Sequence, residues 1–173
     1  MELTLETQRL TLRPFDISDV PAVTEITTRP IVSRYMTDMV YGTPEKAEAW
    51  IHMLDRVCNE QEPCVLLAIV KKGEAAPIGY IGLHPKDTLD NEVEILYALS
   101  DEYQGRGYVT EAGKALVNWC FSATSVPYLA AIVQHSNAAS SRVTQKLGFI
   151  YEGEKTLPHN GTLTAFHYYR LYA

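Results

Sequence analysis

The residues best suited to chemistry sit at one junction. The apolar run Glu94 to Ser100 is followed closely by Gln104-Gly105-Arg106-Gly107-Tyr108-Val109. Two glycines one residue apart let the backbone take positive φ and remove the Cβ atoms that would keep a ligand from the amide hydrogens. With a helix opening at Tyr108, the N–H groups of its first turn lack partners, and the positive end of the macrodipole converges on the same spot. A phosphate fits there, and Arg106 adds a charged fork. Within the apolar run, Glu94 is the one charge on an otherwise apolar strand face. It sits in a wet cleft or is a desolvated carboxylate, and either state suits removal of a proton from an ammonium group. The alternative is a strand-end carboxylate paired with a structural arginine such as Arg13. Glu92, on the same face, is the weaker candidate.

Glycine-rich turns between strand and helix are also common as plain tight turns, so the competing phosphate motifs matter. A Walker loop is excluded because Gly107 is followed by Tyr108-Val109, and G-x-G-x-x-G fails because Thr110 stands at the third glycine position. What remains resembles the acetyl-coenzyme A (acetyl-CoA) pyrophosphate loop, [RQ]-x-x-G-x-[GA], of the GNAT superfamily of N-acetyltransferases. Val109 departs from it, standing where the pattern prefers Gly or Ala. Downstream, Asn137-Ala138-Ala139-Ser140 with Lys146-Leu147-Gly148-Phe149 is similar to the N-x-x-[AS]…K-x-G-F segment of the same superfamily. Glu6-Thr7-Gln8-Arg9-Leu10-Thr11-Leu12-Arg13 resembles the opening of the branch that includes the ribosomal-protein N-terminal acetyltransferases. The resemblance runs from about residue 5 to near the C-terminus.

The resemblance implies roles. Main-chain amides near Leu99 and Ser100 would polarise the thioester carbonyl. Gln104, Gly105, Arg106, Gly107, Tyr108 and Val109 would hold the pyrophosphate. Asn137 would hold the pantetheine arm, cap its helix, or both. Arg142 and Lys146, with Arg106, gather positive charge in an acidic chain where a polyanion could dock, whereas Lys114 reads as an ordinary solvated residue. Many relatives place a tyrosine seven residues after the asparagine as the acid for the leaving sulfur, and this chain has Thr144 there. Ser140 is the nearest substitute, or a plain helix hydroxyl, and Tyr97 and Tyr108 are understudies. The expected reaction is direct attack of a primary amine on acetyl-CoA in a ternary complex. The acceptor is a protein N-terminal α-amine or a small amine such as a polyamine, an amino acid or an aminoglycoside. A rival from another class is an acyl-CoA-binding regulator that has lost turnover, which Thr144 and Val109 favour.

The elements must position these groups. The 173 residues, 46% hydrophobic and 21% charged, suit one domain over 1–173 with a continuous core. A net charge of −6 argues against nucleic-acid binding. No apolar stretch is long enough for a bilayer, and an N-terminus with Glu2 and Glu6 has no basic leader, so a cytoplasmic location is expected. Cys58, Cys64 and Cys120 give neither a disulfide frame nor a zinc pattern. His52, His84, His135, His159 and His167 show no metal-ligand spacing, so no metal is expected. Periodicity predicts a strand near Arg9–Arg13, a helix with Val20, Val23 and Ile26 inward, and a helix opening at Thr43-Pro44. A hairpin over Val65–Leu83, a strand over Glu92–Ser100 and a helix over Tyr108–Ala123 follow. The chain closes with a strand at Tyr128–Val133, a helix capped by Asn137 and a hairpin turning at Gly161. The expected architecture is α+β: a mixed, largely antiparallel sheet of about seven strands flanked by about four helices, splayed between the fourth and fifth strands. A homodimer is a family-level expectation.

Overall fold

The computed structural model describes residues 3–60 and 63–173; Glu2 of the N-terminal reading lies outside them. Eight strands form one sheet in the order β1-β2-β3-β4-β5-β6-β8-β7. They are β1 (Leu5–Glu6), β2 (Leu10–Arg13), β3 (Val65–Lys71), β4 (Pro77–Lys86), β5 (Glu92–Leu99), β6 (Tyr128–Gln134), β7 (Ile150–His159) and β8 (Thr162–Tyr172). Five helices accompany them: α1 (Val20–Thr28), α2 (Pro30–Tyr35), α3 (Pro44–Glu60), α4 (Tyr108–Ala123) and α5 (Ala138–Lys146). The strand beyond the expected seven is β1, two residues pairing antiparallel with β2. It is too short to carry an alternation readable in sequence.

The expected splay is present. β5 pairs with β4 along its whole length, from Gly79↔Leu99 to Lys86↔Glu92. β5 and β6 run parallel and share one register position, Glu94↔Ala130. β8 inserts between β6 and β7, so the closing hairpin extends the sheet beyond the opening.

Both faces of β5 are covered. Ile95 and Leu99 join the main core with Leu116 and Cys120 of α4 and Leu129 and Val133 of β6. Ala98 on the opposite face packs with Ile26 of α1, Val32 of α2 and Tyr80 of β4. Side-chain alternation therefore assigns Tyr97 to the α4–α5 face and Glu94 to the α1–α2 face. α3 is held by Trp50, whose ring stacks on Tyr41 at 4.8 Å and meets Phe15 edge-on at 5.2 Å. Cys58 and Cys64 lie with their sulfurs 3.2 Å apart at the α3–β3 corner, a contact that their sequence positions did not disclose.

Candidate active site

The splay opens into a cavity of about 710 Å³ that passes between β5 and β6. Its lining includes Glu94, Leu99, Gln104, Gly105, Gly107, Tyr108 and Val109, and on the α5 side Asn137, Ser140, Arg142 and Lys146. Of the residues expected from sequence, Ser100 and Arg106 stand outside it.

The loop has the geometry its glycines require. Gly105 (φ +74°) and Gly107 (φ +80°) are left-handed, and Gly107 is the residue before the first turn of α4. A Cβ built on Gly105 would meet nothing within 4 Å, so the space over the loop is open to a ligand. No side chain caps α4, which leaves the amides of its first turn for an external anion. Gln104 braces the loop, its side-chain amide donating to the Leu99 carbonyl at 3.1 Å and its backbone N–H to the Asp101 carbonyl at 3.2 Å. Gln104 is thus a strut, and the amides aimed outward begin after it.

The sequence did not disclose what holds this loop from behind. Thr7 donates through Oγ1 to Glu111 at 2.6 Å, and Arg9 donates to the same carboxylate from its backbone N–H (2.8 Å) and its Nε (2.7 Å). Arg9 Nη1 reaches the Arg106 carbonyl at 3.1 Å, and its guanidinium lies 4.5 Å from the centre of the Tyr108 ring. The opening Thr7-x-Arg9 motif therefore clamps the phosphate loop to β2. Burial alone would raise the Glu111 carboxyl, but the hydrogen bonds from Thr7 and Arg9 outweigh it and hold its pKa below the ordinary 4.5. Arg106 itself is exposed at the tip between the two glycines, its side chain outside the cavity lining.

At the end of β5, the Ser100 amide donates to the Ile78 carbonyl at 2.9 Å and is committed to the β4 ladder. Alternation turns the Leu99 amide the other way, toward the splay. Of the two amides expected to polarise a carbonyl, only that of Leu99 faces the opening; the pairing with β4 removes Ser100.

Across the opening, Asn137 caps α5 by accepting from the Ser140 amide at 3.1 Å. Thr144 is 1% exposed and donates to the Ser140 carbonyl at 3.0 Å. Tyr97 reaches this helix from β5. Its hydroxyl lies 2.9 Å from Ser140 Oγ and 3.3 Å from Thr144 Oγ1. Burial pushes the Tyr97 phenol above its ordinary pKa against the opposing hydrogen bonds from Ser140 and Thr144, so it keeps its proton at neutral pH. Arg142 and Lys146, four residues apart on α5, are both exposed at the rim.

On the other face Glu94 is 7% exposed. Lys86 Nζ stands 3.0 Å and His84 Nε2 3.4 Å from its Oε2. His84 Nδ1 lies 2.9 Å from the Pro85 carbonyl, which fixes the ring with Nε2 toward Glu94. The Arg13 pairing considered from sequence does not occur, because Arg13 makes a two-pronged bond with Asp19 at 2.7 and 2.9 Å. Glu92 is removed as a base candidate. It accepts from Tyr168, from Arg170 at 3.0 Å and from Lys155 at 3.1 Å, a network joining β5 to β7 and β8. On the cavity wall, Tyr35 donates to the Ser136 carbonyl at 3.2 Å and Thr37 lies 2.6 Å from Asn160 Oδ1, so the end of α2 and the turn after it roof the cavity.

The chain is similar to known acetyltransferases in sequence and fold. A family model described as an acetyltransferase (GNAT) domain matches residues 9–150. The chain is 28% identical over 169 residues to the uncharacterized N-acetyltransferase YnaD of Bacillus subtilis, covering 96% of this chain and 95% of that one. It is 26% identical over 143 residues to the spermidine N(1)-acetyltransferase of Escherichia coli, covering 83% and 74% respectively. The solved structure of a putative ribosomal-protein-serine acetyltransferase from Vibrio cholerae superposes with a TM-score of 0.80 at 20% identity over 100% of both chains.

Proposed function

The chain belongs to the GNAT family of acetyl-CoA-dependent N-acetyltransferases, and on that premise we propose that it acetylates a primary amine by direct attack within the β5–β6 splay. The donor enters along the α4–α5 face and the amine arrives beneath the α2 roof. The outward amides of Gly105 to Val109 bind the pyrophosphate, and Arg142 and Lys146 neutralise further phosphate charge at the rim. The Asn137 side-chain N–H₂, left over from capping, holds the pantetheine arm. The Leu99 N–H donates to the thioester oxygen as negative charge develops there.

Glu94 takes the proton that the ammonium must lose, directly or through water, and releases it to solvent in the open cleft, while Lys86 and His84 hold its carboxylate in place. Tyr97 is the acid. It donates its proton to the departing sulfur and is replenished through Ser140, which makes Ser140 a relay and leaves Thr144 to buttress the helix. The observation that carries this reading is the Tyr97 hydroxyl within hydrogen-bond distance of Ser140, on the donor side of the same opening that Glu94 lines from the acceptor side. The non-catalytic alternative rested on Thr144 and Val109; Tyr97 offers a phenol from β5 in place of a tyrosine at position 144, and Val109 lines the cavity.

For the acceptor, the opening Glu6-to-Arg13 motif favours an α-amine at a protein N-terminus. A second reading, a slender polyamine, is favoured by the roof over the acceptor side and by the likeness to a spermidine acetyltransferase. We read the whole chain as one cytoplasmic acetyltransferase domain. The continuous sheet supports the single domain, and no helix among the described residues is long and apolar enough to cross a membrane.

Thiol release from acetyl-CoA separates these readings. Peptides with free N-termini, the same peptides blocked at the N-terminus, and a polyamine panel are compared at equal concentration. Release that requires a free peptide terminus supports the α-amine reading, and release with polyamines alone supports the second. Saturable acetyl-CoA binding with no acceptor-dependent release contradicts both.

A further inference from the structure

We propose that His135, Glu154 and His167 form a binding site for one divalent transition-metal ion of the zinc type, outside the acetyl-transfer cleft. The three come from three adjacent strands or their ends. His167 lies on β8, Glu154 is its direct partner on β7, and His135 follows the last residue of β6, two positions beyond Val133, the β6 partner of His167. All three therefore project from one face of the sheet, and their donor atoms lie within 4.8 Å of one another.

One pair, His135 and Glu154, already has the spacing of two ligands on a shared ion. Two ligand atoms each about 2.1 Å from one metal at 90–110° stand about 3.0–3.4 Å apart, and His135 Nε2 is 3.1 Å from Glu154 Oε1. The two imidazoles lie beside each other, centroids 4.3 Å apart and planes 30° from parallel. A separate observation concerns His167. Its Nδ1 is buried with no hydrogen-bond partner among the described residues, a condition that polar atoms in folded proteins rarely keep. Coordination through that nitrogen would supply what it lacks. Tyr151, edge-on to His167 at 5.6 Å, closes one side.

Two imidazoles and one carboxylate select a borderline ion over calcium or magnesium, which prefer all-oxygen shells. Water completes the coordination. The ion would pin the end of β6 to the closing hairpin two residues before Asn137, and so act on the fold at the start of α5. The separation of the ligands, at 135, 154 and 167, explains why no spacing rule found them: strand pairing alone assembles the site.

Tag-free full-length protein is titrated with zinc by calorimetry, and with cobalt(II) as a visible-absorption probe of coordination. Wild type and His52→Gln, a surface control on α3, are expected to bind one zinc per chain and to gain thermal midpoint with added zinc. His135→Gln and Glu154→Gln alter exposed side chains and leave the fold intact; each is expected to weaken zinc at least about tenfold and to abolish the midpoint gain. Absence of saturable binding at one equivalent, or binding that both variants leave unchanged, overturns the proposal.

Discussion

At the scale of single residues, the assignment turns on which hydroxyl and which carboxylate meet the reacting groups. Tyr97→Phe keeps the ring and removes the proton, so kcat is expected to fall by about 10²-fold with the KM for acetyl-CoA nearly unchanged. Equal kcat in the two proteins would return the acid role to another group. Glu94→Gln should depress turnover chiefly at low pH, where the acceptor is an ammonium that needs a base, and much less at high pH, where the free amine attacks unaided. A pH–rate profile identical to wild type would remove Glu94 from the mechanism. Glu94 was singled out in the sequence as the charge within an apolar run, and the structure buries it beside His84 and Lys86. The contact that makes Tyr97 a candidate was not legible. Its hydroxyl meets Ser140 across 43 residues of chain, a contact that no local spacing encodes. The same limit hid the commitment of the Ser100 amide, which depends on which strand lies beside β5.

At the scale of elements, the loop and α4 were read correctly because glycine pairs and helical periodicity are local signals. Their anchorage was not, because Arg9 and Glu111 are joined only once β2 lies beside the start of α4. That anchorage has a pH signature. The folded Glu111 carboxyl titrates below its ordinary 4.5, so its contribution to stability is complete above the unfolded value and disappears as pH falls through the folded one. Glu111→Gln should therefore flatten the acid limb of a stability-against-pH curve; an acid limb unchanged from wild type would show that the clamp carries no such linkage. Arg9→Ala should cost about 1 kcal/mol, discounted for the partial exposure of the guanidinium. It should also raise the KM for acetyl-CoA more than it lowers kcat, because it loosens the loop without touching the reacting atoms. The extra strand β1 belongs to this scale too: two residues acquire strand geometry only from their partner β2.

At the scale of the molecule, the sheet must stay open at β5–β6 without coming apart. The Glu92 network, gathering Tyr168, Arg170 and Lys155, ties β5 to the strands beyond the gap. Glu92→Gln leaves two cations facing one neutral amide and should destabilise the fold by about 2 kcal/mol, read as a lower denaturation midpoint. A midpoint equal to wild type would show that the opening is held by packing alone. The order of elements was legible from alternation and periodicity, whereas the insertion of β8 between β6 and β7 was not, because a hairpin can dock by either of its strands. The most direct test of the whole account is an amide-resolved NMR titration with coenzyme A. Saturable shifts at one equivalent, concentrated at the backbone N–H groups of Gly105, Gly107, Tyr108, Val109 and Leu99, are the expected result. Saturation that leaves those amides unmoved while others respond would contradict it.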